Sequence, residues 1–344
     1  MQVLSIVGAR PQFVKLAPIT WAAKGNFEHS ILHTGQHYDP LLSESFFTTL
    51  NIPNPDFQLS IGSGSHGEQT GRMLSEIEKV LISNRPDHVI VYGDTNTTLA
   101  GAIAASKLHI PISHIEAGLR SFNRRMPEEL NRIVTDHCSN ILFAPTKNAI
   151  ENLQREGLEK ISVLSGDVMV ETLNFIKSKN VLDKVSENYI FATIHRAENT
   201  DNQVRIREII SKLRKSQIPV HLHSHPRLRK VLEELGLLED SSNLKILPPL
   251  DYFSAINKIS HAAGVITDSG GLQKEAYILN KPCLVVRSES EWVETLSEGL
   301  NFLDPNLESI ENVWWVSTSG KNSKNIFGDG KSSQKIVSVI QAYN

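Results

Sequence analysis

The feature that most restricts what this chain can fold into is a rhythm. Short apolar, β-branched runs alternate with longer stretches whose apolar residues recur at helical spacing. The runs fall at residues 3–7, 30–33, 88–92, 110–115 and 141–144, and again at 189–194, 220–223, 244–247, 264–267 and 283–286. Strands of this kind, separated by helices, pair in parallel and are covered on both faces. A polar, charged break at residues 177–187 divides the rhythm into two similar halves. The chain has 344 residues, more than one ordinary core accommodates, so two domains are expected. These are an N-terminal α/β domain over residues 1–170 and a C-terminal one over 171–331, both Rossmann-like with parallel sheets. Ile336, Val337, Val339 and Ile340 give residues 332–344 the pattern of an amphipathic closing helix, which spacing alone allows to pack on either half.

Composition narrows the partners. A formal net charge of -3, with 40% hydrophobic and 21% charged residues, is that of a globular protein without a positive field for nucleic acid or an anionic membrane. An acidic ligand therefore has to be met by a local basic cluster. Cys138 and Cys283 lie far apart without CxxC spacing, which points to neither a disulfide framework nor a zinc site. The start MQVLSIVGARP has no basic segment followed by a long apolar one, and no run approaches the ~18 apolar residues of a membrane span. A cytoplasmic, unprocessed protein is expected.

The polar peculiarities fall just after the expected strands, where open α/β sheets bind ligands. In GARPQFVKLAP a strand runs into Gly8 and a helix is expected from Pro11, which places Arg10 and Lys15 beside a helix start suited to a phosphate. In VIVYGDTNTTLAG, Asp94 follows a strand and on its own reads as the N-cap of the next helix. In ISHIEAGLRSFNRRMPEELNR a strand ends at Glu116, a loop carries Arg120, Arg124 and Arg125, and Pro127 opens a helix with Glu128, Glu129 and Arg132. Carboxylates in a first helical turn are ordinary dipole complements. Yet Asp94 and Glu116 end strands of one half and should face one crevice, where neighbouring carboxylates raise one another's pKa towards acid–base work.

In the second half, YIFATIHRAEN puts His195, Arg196 and Glu198 after a strand. VHLHSHPRLRK offers His223 and His225, but no further ligands at metal spacing. GVITDSGGLQKEA is the most specific segment: Asp268, Ser269, Gly270 and Gly271 lead into a helix carrying Gln273 and Glu275. Glycines at a helix start let backbone N–H groups approach a diphosphate, and Glu275 is placed to accept from ribose hydroxyls. There is no GxxxxGK[ST], and no GxGxxG supports a dinucleotide cofactor, so a nucleotide diphosphate without nicotinamide remains. Gly62, Gly64 and Gly67 mark a loop, able to order over a ligand, before a helix expected near Glu68.

Taken in order, GARPQFVKLAP, TGQHYD, GDTNTTLAG, HIEAGLR, MPEELNR, HRAEN, HPR and TDSGGLQKEA resemble the non-hydrolysing UDP-N-acetylglucosamine 2-epimerases over nearly the whole chain. The resemblance implies two domains arranged as in the GT-B glycosyltransferases, an active site in the interdomain cleft, a homodimer, and UDP bound mainly by the second domain. It implies removal of the C2 proton and loss of UDP to give a 2-acetamidoglucal, then re-addition from the opposite face, without metal or redox cofactor. Asp94, Glu116 and Glu128 match the family's catalytic carboxylates and His195 its active-site histidine. Arg10, Lys15, Arg132, His225, Leu250, Ser269, Gly270, Gly271 and Glu275 match its nucleotide-sugar contacts.

The departures bear on substrate. The loop before the PEE element is the short, basic SFNRRM, and Trp292 follows Ser290–Glu291 where the UDP-N-acetylglucosamine branch has arginine. The TGQHYD segment also differs from the part of that branch that binds a second, activating UDP-sugar. These features look more like the branch that epimerises UDP-2,3-diacetamido-2,3-dideoxyglucuronate, whose C6 carboxylate would take a guanidinium from Arg124 or Arg125. The bland alternative is that both arginines are solvated or pair with Glu128 and Glu129. A hydrolysing 2-epimerase, a GT-B glycosyltransferase and a non-catalytic nucleotide-sugar sensor are the competing functions. The carboxylate set argues against the last two.

Overall fold

The computed structural model describes residues 1–36, 46–179, 188–297, 299–311, 315 and 325–343. Residues 37–39 of the TGQHYD motif and 180–187 of the polar break lie outside them. The chain divides into two compact units, Met1–Asn174 with Asn325–Asn344, and Phe175–Lys324.

In the first unit the elements run β1 (Gln2–Val7), α1 (Arg10–Ala23), β2 (Glu28–His33), β3 (Phe57–Gln58), α2 (His66–Asn84), β4 (His88–Tyr92), α3 (Asn96–Lys107) and β5 (Ile112–Ile115). They continue with α4 (Pro127–Cys138), β6 (Ile141–Ala144), α5 (Lys147–Arg155), β7 (Ser162–Leu164) and α6 (Met169–Lys179), whose last residues belong to the second unit. The strands form one parallel sheet in the order β3-β2-β1-β4-β5-β6-β7. β4 and β5 are buried along their whole length, as strands covered by helices on both faces must be. The core joins Leu4, Ile6, Val89 and Val91 to Met73, Ile77 and Leu81 of α2 and Ala100 and Ala104 of α3.

The second unit has β8 (Ile190–Thr193), α7 (Ala197–Thr200), α8 (Gln203–Arg214), β9 (Val220–His223), α9 (Pro226–Glu234) and β10 (Leu244–Leu247). Then come α10 (Tyr252–His261), β11 (Gly264–Thr267), α11 (Gly270–Ile278), β12 (Cys283–Val285), α12 (Val293–Ser297) and β13 (Asn301–Leu303). Its parallel sheet has the order β10-β9-β8-β11-β12-β13. Both sheets are therefore doubly wound, and both are Rossmann-like. Strand order reverses between β1 and β4 in one and between β8 and β11 in the other, the points at which such sheets bind ligands.

The closing helix α13 (Ser332–Ala342) belongs to the first unit, where Gln341 Nε2 donates to the Asn26 carbonyl at 2.8 Å and the Ser333 N–H donates to Glu171 at 2.8 Å. Three expectations shift. α1 begins at Arg10 rather than Pro11, α2 at His66 rather than near Glu68, and β5 at Ile112 because Pro111 precedes it and has no N–H to give a ladder. No helix among the described residues is long and apolar enough to cross a membrane.

Candidate active site

In the first unit the polar residues gather where β1, β4 and β5 end. Gly8 follows β1 with Thr34 and Thr97 so close that a Cβ there would collide with both hydroxyls. Gln12 reaches back from the first turn of α1, its Oε1 accepting from the Gly8 and Ala9 N–H groups at 2.8 and 3.0 Å. Its Nε2 donates to the Tyr92 carbonyl at 3.1 Å, which ties the end of β1 to the end of β4. Arg10 is exposed at the start of the helix, whereas Lys15 is buried and meets Glu116 at 2.5 Å.

Asp94 is not the N-cap of α3. Thr95 is, accepting from the Thr98 N–H at 3.3 Å, and Asp94 stands one residue earlier, after Gly93 in the left-handed region. That offset frees the Asp94 carboxylate, which pairs with Arg132 at 2.7 Å while its side chain is 33% exposed. Burial raises the Asp94 pKa, Arg132 and Lys15 oppose the rise, and the charges of Glu116 and Glu128 add to it. Glu116 is buried and has φ 74°, a left-handed conformation uncommon for a residue with a side chain. It is imposed by two N–H donors, Glu116 and Ala117, on the single Phe143 carbonyl, both at 3.1 Å.

The helix α4 supplies the rest. Glu128 is exposed in its first turn, near enough to Asp94 for the two charges to be felt. Glu129, read from sequence as a dipole complement, is buried and accepts from the Ser121 and Phe122 N–H groups at 2.9 Å each and from Arg132 at 2.8 Å. Burial works to raise its pKa, but these donors and the Arg132 charge hold it below the ordinary carboxylate range. Arg132 thus bridges Glu129 and Asp94, and Glu129 anchors the loop on which Arg124 and Arg125 are exposed.

In the second unit His195 lies past β8, with Nδ1 3.1 Å from Asp268, and its ring is about half exposed, at 48%. Asp268 was not singled out by sequence as more than part of a turn. It is fully buried, and it accepts from the His195 and Arg196 N–H groups at 3.1 and 3.0 Å and from Asn199 Nδ2 at 3.0 Å. Burial alone would raise the Asp268 pKa, but His195, Asn199 and Arg196 pull it below its usual value. With a carboxylate at Nδ1, that nitrogen carries a proton.

The next turn is built as a close approach. Ser269 caps α11, and at Gly270 a Cβ would run into the Glu291 carboxylate, which Arg287 holds at 2.8 Å. Gly271 is the second helical residue, and Glu275 is buried one turn on. Trp292 lies under the Lys274 ammonium, 4.6 Å from ring centroid to Nζ, so a lysine brings charge where Trp292 stands in place of arginine. His225 is exposed as the N-cap of α9, and Leu250 is half-buried just before the start of α10. His223 is buried and donates to the Pro248 carbonyl at 2.9 Å, so the two histidines do not converge. Among the described residues no group of three or more His, Cys, Asp or Glu is arranged to hold a metal ion.

Carboxylates balanced by buried cations on one doubly wound unit, and an oriented imidazole beside a glycine helix start on the other, belong to an α/β enzyme that moves protons on an anionic substrate. Comparison with known proteins narrows this class. The family model described as UDP-N-acetylglucosamine 2-epimerase matches residues 20–341, and the chain belongs to that family. It is a non-hydrolysing UDP-sugar 2-epimerase, an isomerase that inverts C2, with a place in nucleotide-sugar metabolism and polysaccharide biosynthesis.

Among its relatives, the UDP-N-acetylglucosamine 2-epimerase homolog of Methanococcus maripaludis is 48% identical over 99% of each chain. The UDP-2,3-diacetamido-2,3-dideoxy-D-glucuronate 2-epimerase of Pseudomonas aeruginosa is 46% identical, again over 99% of each. The crystal structure of Methanocaldococcus jannaschii UDP-GlcNAc 2-epimerase in complex with UDP-GlcNAc and UDP matches with TM-score 0.89 and 42% identity, over 99% of this chain and 100% of that one.

Proposed function

We propose that the substrate is UDP-2,3-diacetamido-2,3-dideoxyglucuronate. The observation that carries this reading is the pair of exposed guanidinium groups, Arg124 and Arg125, on a loop whose backbone Glu129 holds through Ser121 and Phe122. Glu129, one of the two carboxylates that could neutralise them, is committed to that loop and to Arg132. A C6 carboxylate is the group on a sugar that such guanidinium groups recognise. The 46% identity to the Pseudomonas aeruginosa enzyme supports it. UDP-N-acetylglucosamine, converted to UDP-N-acetylmannosamine, is the second reading, favoured by the 48% identity to the Methanococcus maripaludis homolog.

In this reading two of Asp94, Glu116 and Glu128 serve as base and acid on opposite faces of C2, with Lys15 and Arg132 balancing their charge. The C2 proton leaves to the base as the C1–O bond to UDP breaks, giving a 2-acetamidoglucal. A UDP oxygen then re-forms the bond at C1 while a proton is delivered to the other face of C2, so the net change is inversion alone. Asp94, with its raised pKa, takes a proton more readily than an ordinary carboxylate. The diphosphate is assigned to Ser269, Gly270 and Gly271, the ribose to Glu275, and further nucleotide-sugar contacts to Arg10, His225 and Leu250. His195 faces the departing diphosphate. The reading needs one substrate to be met by groups of both units, in a GT-B-like arrangement, and it takes the enzyme to be a cytoplasmic homodimer.

The test is incubation with each UDP-sugar in deuterated water, followed at C2 by NMR. Faster deuterium entry with the uronate, lost when Arg124 and Arg125 are replaced by glutamine, supports the assignment. Equal or faster entry with UDP-N-acetylglucosamine in the native enzyme overturns it in favour of the second reading.

A further inference from the structure

Behind the carboxylates lies a fully buried polar group that the reaction does not itself require. Asp136, on the inner face of α4, has Oδ1 2.6 Å from His114 Nδ1, and its Oδ2 accepts from the Gly118 N–H at 3.1 Å and lies 2.7 Å from Arg120. The other ring nitrogen of His114, Nε2, donates to the Gly93 carbonyl at 2.7 Å. Arg120 continues to Glu156 with bonds of 2.7 and 2.9 Å. His114 and Asp136 are both 0% exposed, so this part of the network does not serve the surface.

Gly93 immediately precedes Asp94, and Gly118 follows Glu116 by two residues. One carboxylate therefore reaches both proton-transfer turns, directly on one side and through an imidazole on the other. Each turn has a left-handed residue, Gly93 at φ 64° and Glu116 at φ 74°. Glycine adopts such backbone freely, but a residue with a side chain, as at Glu116, keeps it only where its surroundings over-determine it. We propose that Asp136 and His114 are positioning residues that set Asp94 and Glu116 relative to each other at C2. This rests on the proposed function, with Asp94 and Glu116 taken as the two of its three carboxylates that transfer the proton.

The hydrogen-bond inventory separates the two halves of the link. Asparagine at 114 places an amide near Nδ1 and keeps Asp136 while releasing Gly93. Glutamine places one near Nε2 and keeps Gly93. A displacement of the order of an ångström at a reacting group costs on the order of 10²-fold in rate. His114→Asn is expected to lower kcat about 10- to 100-fold with KM for the UDP-sugar changed less than about 3-fold, and with UDP affinity unchanged. His114→Gln is expected to recover at least about half of the loss on a logarithmic scale. A purely structural role would lower stability and KM-linked binding together and would show no such rescue.

If His114→Asn fails to fold, Asp136→Asn and His114→Gln carry the same comparison through their kcat and KM. Native kcat in folded His114→Asn, or no difference between the asparagine and glutamine variants, overturns the proposal. Native rates in Asp94→Asn and Glu116→Gln would instead sink the catalytic assignment beneath it, so the two failures are told apart.

Discussion

Asp94 and Glu116 are held by different means. Asp94 is partly open and shares Arg132 with Glu129, whereas Glu116 is enclosed with Lys15. Asp94→Asn and Glu116→Gln are each expected to lose at least ~10²-fold in kcat, the usual cost of removing a catalytic acid or base, with UDP affinity retained in a titration. Asp268→Asn should cost on the order of 10²-fold as well, because an amide no longer fixes the His195 tautomer. Activity within a few fold of native in that variant would remove His195 from the chemistry. Of this arrangement, Asp94, Glu116 and His195 are legible from their places after strands. Glu129 and Asp268 are not, because burial of a carboxylate against backbone donors depends on loops whose path no spacing rule gives.

Residues unconnected with the chemistry contribute to the acid sensitivity of the fold. His88 is fully buried beside Ser113, and His29 lies against Ser5; burial lowers both pKa values to about 4 from 6.5. The unfolded chain therefore takes up these protons first. Their contribution is complete above about pH 6.5 and is lost as the pH falls through about 4. Urea denaturation across that range should show a steadily falling midpoint. His88→Gln should flatten the decline.

At the scale of elements, the central strands were legible because a strand buried on both faces is written as an uninterrupted apolar run. β3, β7 and β13 were missed for the complementary reason. They are edge strands of two or three residues with partly exposed side chains, and their existence depends on a neighbour already in place. Capping illustrates the same limit: Asp94 and Thr95 are both good caps by type, and only the backbone path selects Thr95. Thr95→Ala should consequently cost about 1 kcal/mol in denaturant unfolding. A comparable loss in Asp94→Ala, with none in Thr95→Ala, would return the cap to Asp94.

At the scale of the molecule, the first unit is not contiguous in sequence, since it begins at Met1 and is completed by residues from Asn325 onward. The Asp167 N–H donates to the Phe327 carbonyl at 2.8 Å, and Ile336, Val337 and Ile340 of α13 are essentially fully buried. Burying three such side chains contributes on the order of 5 kcal/mol, a large share of the stability of an ordinary domain. Removal of residues 332–344 is therefore expected to loosen the unit that lies farther away in sequence. Amide hydrogen exchange followed by mass spectrometry reads this directly. Peptides of β1, α1 and β4 should lose protection, while residues 206–232, whose core of Ile206, Ile209, Leu213, Leu222 and Leu228 belongs to the second unit, should keep it. Loss confined to the second unit would mean that the last helix serves the half it follows in sequence.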